Sequence, residues 1–528
     1  MHVLAIFIST KLSRNSTFTH PINTELELPR QEQIKLLQIQ MAHPKPHAIV
    51  IPYPYQGHVT PMINLSISLA SRGFTITFVQ IEFIHHFISK AQNLPAAADH
   101  ADFFGEARKS GLDIRYTTIS DGFPVEFDRD VNFEEVWESM LRDFPDRVDE
   151  IVVETMKGDE SAPETTRPRP PFLLIADTFY TWPATIAKKH DMVYVSLWTE
   201  PAIVFSLNYH LELLTQNGHF PYNGHADNHI NYIPGIQSIT TRDLMTYLQD
   251  PELVPMLTQI VKKGFEQVKK ADFILCNTVE ELESEALSAL NQKHPTYAIG
   301  PINFYTDFAK TSIAKSFWSE FDCTQWLNSK PSGSVLYVSF GSMAESNNDE
   351  IAELANGLLL SEVYFIWVLR PNITRGNGTD ILPEGFEDAV KGKGLIVPWC
   401  NQNMVLSSPA VGGFLTHCGW NSILESIWYG VPMICYPFVV DQPTNRKLVV
   451  DDWKIGVDLC DGEQVGKEEV ASKINTFMMR GGSSVQMKEE IKKVSKNLHD
   501  ALGVEGSSHR NFDRFVEDLK AKLYLRSP

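Results

Sequence analysis

The segment His47-Ala-Ile-Val-Ile-Pro-Tyr53 opens a pattern that decides the fold. Its apolar run is typical of a buried strand, and the polar stretch 56–60 is predicted to be a loop. Residues 62–72 have the periodicity of a helix, and residues 74–79, rich in β-branched and aromatic side chains, are predicted to form a second strand. A strand, a helix and a strand within about thirty residues form a βαβ unit, which implies a parallel sheet.

The ends of this predicted helix carry the usual helix signals. Thr60 is placed to cap the first free amides, Pro61 suits the first turn, and Gly73 suits the position just after the end. These signals support a helix over residues 62–72.

The same alternation recurs further along the chain. Apolar runs at 172–176 and 193–197 flank a predicted helix around 182–189. A second series of apolar strand-like segments, separated in several places by helical patterns, occupies residues 335–340, 365–369, 394–398, 413–416 and 432–436. The predicted fold class is therefore α/β, with two doubly wound, Rossmann-like domains facing each other across a cleft.

Composition shifts set the predicted domain boundaries, because residues 291–333 carry Pro, Gly, Ser and irregularly spaced aromatic side chains. We predict an unstructured extension at 1–40 with Met41 as a candidate start, an N-terminal domain at 41–290, a linker at 291–333, a C-terminal domain at 334–500, and a C-terminal helix at 501–528 that packs back on the N-terminal domain.

Bulk properties exclude several classes of protein. A chain of 528 residues with 43% hydrophobic and 21% charged residues has an ordinary globular composition and is long enough for two cores. Its formal net charge of -19 repels phosphates, so nucleic acid is not an expected partner. Six cysteines without close paired spacing argue against a disulfide framework and favour a reducing, cytoplasmic location. No run of about eighteen apolar residues is present, so no transmembrane segment is predicted.

Side chains at the carboxyl ends of parallel strands are candidates for function, because ligands of open parallel sheets bind there. His58 follows the first strand and Asp177 follows the strand 172–176, which places both at one rim of the N-terminal sheet. A carboxylate that holds an imidazole makes a general base. The alternative is structural: His58 lines a helix start and Asp177 caps the next helix. Taken alone, the pair favours the structural interpretation.

Two strand ends of the C-terminal domain carry candidate phosphate sites. Gly341-Ser342 follows the strand that begins at Val335, which is weak evidence, because such a dipeptide is often only a turn. The run Thr416-His-Cys-Gly-Trp-Asn-Ser422 is stronger evidence. It brings a candidate cation, a glycine and two small polar side chains to a predicted helix start, whose free amides favour a diphosphate.

A structural interpretation of this second run stays open. Ser422 and Glu425 match a capping box, which would explain both residues without a ligand. Core packing would likewise explain His417 and Trp420. Capping and core packing account less well for Asn421 and Gly419 than for the other residues of the run.

The flanks of this run suggest what the diphosphate belongs to. Trp399 ends a strand, where an indole can stack on a planar base, and Asp441-Gln442 offers a carboxylate and an amide that suit the hydroxyls of a sugar. Together the segment 399–442 has the groups expected for a nucleotide sugar.

These 44 residues resemble the signature box of plant secondary-product UDP-dependent glycosyltransferases, which form glycosyltransferase family 1. The anchors stand at the family spacing, and they are Trp399, Gln402, His417-Cys-Gly-Trp-Asn-Ser422, Glu425 and Asp441-Gln442. The resemblance covers essentially residues 43–520, including Pro54-Tyr-Gln-Gly-His58, Ile175-Ala-Asp177 and Trp198-Thr-Glu200. It implies the GT-B fold, with the active site between two Rossmann-like domains.

The resemblance also implies a role for each donor-site residue. Trp399 and the backbone of Cys400 are implied to bind uracil, and Gln402 and Glu425 to bind ribose. The residues implied to bind the diphosphate are Ser342, His417, Asn421 and Ser422. Those implied to contact the transferred sugar are Trp420, Asp441, Gln442 and Thr199.

The catalytic pair of the family matches His58 as general base and Asp177 as its supporting acid. In these roles His58 deprotonates a hydroxyl of the acceptor, which attacks the anomeric carbon opposite UDP and yields a β-glucoside with inversion. No metal is expected, because a helix N-terminus and His417 offset the charge of the leaving group. Glucose is the expected sugar, because Gln442 goes with glucose in the family and Trp420 stands where an arginine would favour glucuronic acid.

This sequence departs from the family pattern at two positions. Asn401 replaces a proline near the start of the box, and Ser408 replaces a frequent histidine before Pro409. Both positions are expected to shape the loop rather than to touch the donor.

Other interpretations remain. A catalytically silent nucleotide-sugar-binding protein would have no need of His58 and Asp177, whereas a nicotinamide-dependent enzyme would want a glycine-rich turn that neither domain supplies. The adjacent His85 and His86 point in different directions and lack further metal ligands. The expected acceptor is a small lipophilic molecule, the expected oligomeric state is a monomer, and the segment 207–233 is either a wall of the acceptor pocket or a disordered surface loop.

Overall fold

The computed structural model places two parallel sheets along one chain. The described residues are 44–91, 104–129, 131–157, 170–221, 229–252, 255–305, 316–342, 347–370, 382–460, 465–479 and 483–526. The extension predicted at 1–40 lies outside these residues.

The first lobe is built on a seven-stranded sheet in the order β3-β2-β1-β4-β5-β6-β7, in which every pairing is parallel. Its strands are β1 (His47–Ile51), β2 (Thr75–Ile81), β3 (Ile114–Ile119), β4 (Phe172–Asp177), β5 (Val193–Trp198), β6 (Phe273–Cys276) and β7 (Thr296–Ala298). Every residue of the central strands β1 and β2 is buried, as expected for a sheet covered by helices on both faces.

Eleven helices are described in the first lobe. They are α1 (Gln56–Ser71), α2 (Glu82–Ala91), α3 (Gly105–Lys109), α4 (Phe133–Arg142), α5 (Phe144–Lys157), α6 (Pro183–Lys189), α7 (Ala202–Tyr209), α8 (Leu211–Gln216), α9 (Thr246–Gln249), α10 (Pro255–Val268) and α11 (Glu280–Asn291). Two 3₁₀ turns at Thr241–Asp243 and Ile302–Phe304, and a small antiparallel pair of His229–Ile230 with Ile239–Thr240, complete the described part of this lobe.

The second lobe repeats the arrangement with six parallel strands in the order β10-β9-β8-β11-β12-β13. These strands are β8 (Val335–Ser339), β9 (Tyr364–Val368), β10 (Gly394–Val397), β11 (Val411–Thr416), β12 (Met433–Cys435) and β13 (Gly456–Asp458). In both lobes the strand order reverses beside the first strand, which is where doubly wound sheets open a crevice for ligands. The predicted α/β class with two Rossmann-like lobes is confirmed.

Nine further helices are described after the first lobe. They are α12 (Thr324–Asn328), α13 (Asn348–Leu360), α14 (Phe386–Ala389), α15 (Gln402–Leu406), α16 (Trp420–Trp428), α17 (Gln442–Lys447), α18 (Lys467–Met478), α19 (Ser483–Ala501) and α20 (Ser507–Arg526), with a π-helical turn at Leu448–Asp452. The last of them, α20, lies on the first lobe, where Phe515 packs against Phe273 and Tyr297, and the Tyr297 hydroxyl donates to Asp518.

Helix α1 differs from its prediction at the start and agrees at the end. It begins at Gln56, so the predicted loop 56–60 is wrong, and Tyr55 rather than Thr60 is its N-cap residue. Pro61 therefore lies inside the helix, where it lacks the N–H that would bond to the carbonyl of Gly57. Gly73 follows the helix with a φ of +87°, as predicted for a C-terminal glycine.

The first sheet also extends into the segment predicted as a linker. Strand β7 adds to β6 through residues 296–298, beyond the predicted boundary at 290. This strand has only three residues, between Pro295 and the Gly300-Pro301 dipeptide, and is too short to show a period of two in the sequence.

Candidate active site

A cavity of about 700 Å³ lies between the carboxyl ends of the two sheets. Residues from both lobes line it, and all the predicted donor-site and catalytic residues except Asp177 are among them. Asp177 stands directly behind His58, which does line the cavity. The structure therefore brings the two predicted halves of the site together.

His58 and Asp177 form a hydrogen-bonded pair. Nδ1 of His58 lies 2.7 Å from Oδ2 of Asp177, whose side chain is only 1% exposed, and 3.0 Å from the hydroxyl oxygen of Thr199. Because a carboxylate can only accept, Nδ1 carries the proton and Nε2 keeps a free lone pair. This is the arrangement of a general base held by an acid.

The structural interpretation of this pair fails for Asp177. Helix α6, the next helix, has Trp182 as its N-cap residue, so Asp177 does not cap it. The second oxygen of Asp177 accepts the amide of Phe179 over 3.0 Å, which fixes the carboxylate. Rings of Tyr53, Tyr55 and Phe179 lie 5.5 to 6.2 Å from the imidazole centroid. The pair thus sits in a largely apolar wall, where its charges interact strongly.

The indole of Trp399 is half-buried at the edge of the cavity, as a stacking plate must be. A second indole, Trp318, lies 6.2 Å from it between ring centroids, with an angle of 30° between the planes. Trp318 was not predicted, although it is one of the irregularly spaced aromatic side chains of the predicted linker. The amide of Phe321 donates to the carbonyl of Trp399 over 2.9 Å, which ties this segment to the second lobe.

Gln402, Ser422 and Glu425 form one cluster. The side-chain amide of Gln402 donates to Ser422 Oγ over 3.0 Å and to Glu425 Oε2 over 2.8 Å. Helix α16 begins at Trp420 after Gly419, with no side-chain cap. The capping-box interpretation is therefore wrong, and Ser422 and Glu425 point to the cavity side instead of closing the helix.

The predicted phosphate cradle is the N-terminus of α16 together with His417. Burial lowers the pKa of His417 to about 4, and the charge of Arg370 acts in the same direction. Burial thus favours the neutral imidazole over the cation that the sequence suggests. The positive end of the cradle comes from the free amides of α16.

Two glycines make room for this imidazole. A Cβ atom added at Gly341 would lie 2.5 Å from Nε2 of His417, and one added at Gly419 would lie 2.4 Å from it. Gly341 also has a φ of +69°, which favours glycine. The glycines of both strand ends thus position His417, in addition to leaving a ligand close access to the backbone.

The side chains of Trp420 and Asn421 reach across to the first lobe. The indole N–H of Trp420 donates to the carbonyl of Asn277 over 2.8 Å. The amide of Asn421 donates to the carbonyl of Gly57 over 2.9 Å, which is the carbonyl that Pro61 leaves unpaired in α1. Asn277 was not predicted, although it directly follows β6 at the carboxyl edge of the sheet.

The loop that carries Asp441 and Gln442 is held from both sides. Oε1 of Gln442 accepts the amides of Phe438 and Val439 over 2.7 and 3.0 Å. Val440, with a φ of 60°, exchanges two hydrogen bonds with Thr246 of the first lobe. Asn445 donates to Oδ2 of Asp441 over 2.6 Å, and burial raises the pKa of Asp441 to about 6.

A further contact between the lobes lies near this loop. The hydroxyl of Thr444 donates to the main-chain carbonyl of Asp243 over 2.7 Å. Together with the carbonyls of Gly57 and Asn277, three main-chain acceptors of the first lobe receive side chains of the second.

The two departures from the family pattern have structural roles. Asn401 caps α15 by accepting the amide of Met404 over 3.0 Å and donates to Glu320 over 3.2 Å. Ser408 Oγ accepts the amide of Ala410 over 3.3 Å. Asn401 also lines the cavity.

Several other predicted features lie away from the site. Within the described parts of 207–233, no residue lines the cavity, and Leu207, Tyr209 and His210 are buried. His85 instead meets the hydroxyl of Tyr116 at 2.8 Å. Among the residues described, no group of three or more His, Cys, Asp or Glu side chains is arranged to hold a metal ion. No helix in the described ranges is long and apolar enough to cross a membrane.

Comparisons with known proteins agree with this geometry. A family model described as UDP-glucoronosyl and UDP-glucosyl transferase matches residues 192–502. UDP-glycosyltransferase 86A1 of Arabidopsis thaliana is 49% identical over 91% of this chain and 95% of its own length. The 7-deoxyloganetin glucosyltransferase of Catharanthus roseus is 34% identical over 90% of this chain and 97% of its own. The crystal structure of Os79 from O. sativa in complex with UDP superposes with a TM-score of 0.73 at 25% identity, covering 89% of this chain and all of that one.

Proposed function

The chain belongs to the UDP-glycosyltransferase family of plants, glycosyltransferase family 1, and from this membership we propose that it transfers glucose from UDP-glucose to a small lipophilic plant metabolite. The acceptor group is a hydroxyl or a carboxyl, the product is a β-glucoside, and the reaction inverts the anomeric carbon without a metal. The observation that carries the proposal is the His58–Asp177 pair, which faces the predicted donor residues across one cavity.

The chemistry follows from the free lone pair of His58 Nε2. This nitrogen takes the proton of the acceptor hydroxyl as the oxygen attacks the anomeric carbon. The bond between that carbon and the β-phosphate oxygen breaks, and UDP leaves with the electron pair. Asp177 stabilises the imidazolium that forms, because its carboxylate already accepts the Nδ1 proton over 2.7 Å.

The donor would lie along the second lobe. Trp399 and the backbone of Cys400 bind uracil, and the Gln402–Glu425 pair binds the ribose hydroxyls. The diphosphate lies at the N-terminus of α16, where free amides offset the charge of the leaving UDP. Of the remaining donor-site residues, those proposed to bind the diphosphate are Ser342, His417, Asn421 and Ser422. Those proposed to contact the sugar are Trp420, Asp441, Gln442 and Thr199.

Two observations support glucose as the sugar. Gln442 ends the signature box, as it does in family members that use glucose, and Trp420 stands where an arginine would favour glucuronic acid. The relative from Catharanthus roseus is named as a glucosyltransferase. We further propose that one copy of the chain suffices, because the residues of both half-sites belong to the same chain.

A reducing, cytoplasmic setting is proposed from the thiols. Cys276, Cys323, Cys400, Cys418 and Cys435 carry free thiols, and all five are buried. Free buried thiols are usual in the cytoplasm and less so in secreted proteins.

A donor and acceptor screen tests the proposal. The purified full chain is incubated with a mixed library of phenols, alcohols and carboxylic acids and, separately, UDP-glucose, UDP-galactose, UDP-xylose and UDP-glucuronic acid, in buffer containing EDTA. We expect mass spectrometry to show products heavier by one hexose with UDP-glucose. Binding of UDP-glucose without a product from any acceptor would instead favour a silent nucleotide-sugar-binding protein.

Acid pH is expected to weaken the binding of the sugar moiety of UDP-glucose. Above its pKa of about 6, Asp441 is a carboxylate and accepts charge-assisted hydrogen bonds from sugar hydroxyls, whereas below that pH it is protonated and accepts weaker ones. We expect the ratio of the dissociation constant for UDP to that for UDP-glucose to fall by about threefold to tenfold between about pH 7.5 and about pH 5. Calorimetric titration checks this, and Asp441→Asn should give a low ratio that does not change with pH. A constant ratio in the wild-type protein would contradict the role given to Asp441.

A further inference from the structure

Glu200 is a buried carboxyl group that the chemistry above does not use. It follows Thr199 at the end of β5, lines the cavity and is 7% exposed. In the part of the chain that the structure describes, its Oε2 atom has no hydrogen-bond partner. A buried carboxyl oxygen without a partner costs free energy, so its presence calls for an explanation.

A structural role for Glu200 would be to cap α7, which begins two residues later at Ala202. That role is already filled by another side chain. Glu283 accepts the amide of Ala202 over 3.0 Å, the amide of Ile203 over 2.9 Å and the hydroxyl of Thr278 over 2.6 Å. Glu200 is therefore free of the helix and faces the cavity instead.

Two other acidic side chains are close enough to act on Glu200. Burial raises the pKa of Glu200 well above its ordinary value, and the carboxylates of Asp441 and Asp177 raise it further. Asp441 and Glu200 are both nine-tenths buried and line the same cavity, so ionisation of one opposes ionisation of the other and the pair holds one proton at neutral pH. The pair still leaves negative charge at this end of the cavity, beside Thr199.

We infer that Glu200 selects the donor sugar: it forms a hydrogen bond to a hydroxyl of a neutral hexose and disfavours nucleotide sugars whose sugar carries a carboxylate. This inference rests on the proposed function, which places Thr199 and Asp441 at the sugar. Glu200 adjoins the first in sequence and lines the same cavity as the second. A neutral hexose offers its hydroxyl to the unpartnered Oε2, whereas a uronic acid brings a second negative charge into a buried acidic site.

The test replaces the carboxyl group by an amide of the same shape. Glu200→Gln and the wild-type protein are compared for transfer from UDP-glucose and from UDP-glucuronic acid to one acceptor, and for binding of each donor by calorimetry. We expect the preference for UDP-glucose over UDP-glucuronic acid, expressed as the ratio of kcat/KM values, to fall by at least about tenfold in Glu200→Gln, because the charge of the pair then lies on Asp441 alone and the amide N–H can donate to the carboxylate of the uronic acid. Glu212→Gln, an exposed glutamate of the same lobe, should leave that ratio unchanged.

A second variant separates charge from hydrogen bonding. Glu200→Asp keeps a carboxyl group that can share the proton with Asp441 but withdraws it by one methylene. We expect it to reject UDP-glucuronic acid as the wild-type protein does, with a raised KM for UDP-glucose. An unchanged donor preference in Glu200→Gln would overturn the inference.

Failure of the proposed function gives a different result from failure of this inference. If the wild-type protein transfers no sugar, the proposed function fails. The ratio of the dissociation constants for the two donors still tests Glu200, because binding needs no acceptor. A ratio that moves toward UDP-glucuronic acid in Glu200→Gln supports the inference, and an equal ratio in the two proteins overturns it.

Discussion

His58→Ala is expected to lower kcat by about 10³-fold while the dissociation constant for UDP-glucose stays within about twofold of the wild-type value. The imidazole stands on the first lobe at the N-terminal turn of α1, and its contacts are with Asp177 and Thr199 of the same lobe. Its Nε2 nitrogen supplies the base for the acceptor hydroxyl, so its loss affects the reacting state and not donor binding. Single-turnover kinetics and calorimetric titration with UDP-glucose measure the two quantities separately.

The chain offers a matched control for this variant. His190 and Asp149 form a second histidine–carboxylate pair, also at 2.7 Å, which is no part of the cavity lining. His190→Ala removes a pair of the same length, made through Nε2 instead of Nδ1, and is expected to change kcat by less than about twofold, with only a small loss in melting temperature. Equal activity in His58→Ala and the wild-type protein would remove His58 as the base. An equal loss in both variants would assign the effect to stability.

Gly341→Ala is expected to weaken binding of UDP by about 10²-fold, although the change adds one methyl group. The new Cβ atom would lie 2.5 Å from Nε2 and 2.6 Å from Cε1 of His417, so the imidazole has to move. His417 is buried between Gly341 and Gly419, with little free space around it. A displaced imidazole either enters the space proposed for the diphosphate or misaligns the N–H of His417, and either result weakens the binding of UDP.

Gly333 separates this effect from backbone strain. It precedes β8 as Gly341 follows it, its φ of +66° is close to the +69° of Gly341, and a Cβ atom added there meets nothing within 4 Å. An L-residue in this conformation costs about 1–2 kcal/mol at either position. Gly333→Ala should therefore lose stability and keep its affinity for UDP. Equal dissociation constants for UDP in the two variants would show that His417 has no part in holding the donor.

The sequence predicts the fold because long periodic segments determine it. Strand β1 is an apolar run between two prolines, and β2 is rich in β-branched and aromatic side chains after Gly73. Their parallel pairing follows from the helix between them. The predicted start of α1 was wrong for a physical reason. Pro61 is a signal for a first helical turn, yet here it is tolerated inside the helix, because the amide of Asn421 bonds to the carbonyl that Pro61 leaves unpaired.

The site was predictable to the extent that it lies in one local segment. The cluster of Gln402, Ser422 and Glu425 forms from residues of the signature box. Contacts between segments that are distant in the chain leave no local pattern in the sequence. The proximity of Trp318 to Trp399 and the capping of α7 by Glu283 depend on how separate elements pack, which no periodicity of the chain encodes. The neutral state of His417 likewise depends on its burial and could not be known from its neighbours in sequence.

Three main-chain carbonyls of the first lobe accept hydrogen bonds from side chains of the second lobe, and they belong to Gly57, Asn277 and Asp243. This arrangement affects how the sequences of such enzymes can diverge. A carbonyl is present whatever side chain its residue carries. Substitutions that reshape the acceptor side can therefore accumulate in the first lobe while the register between the lobes is kept. At these three places an exchange of whole lobes between relatives needs to preserve only the path of the backbone, whereas Thr246, whose hydroxyl accepts the amide of Val440, has to be kept as a side chain.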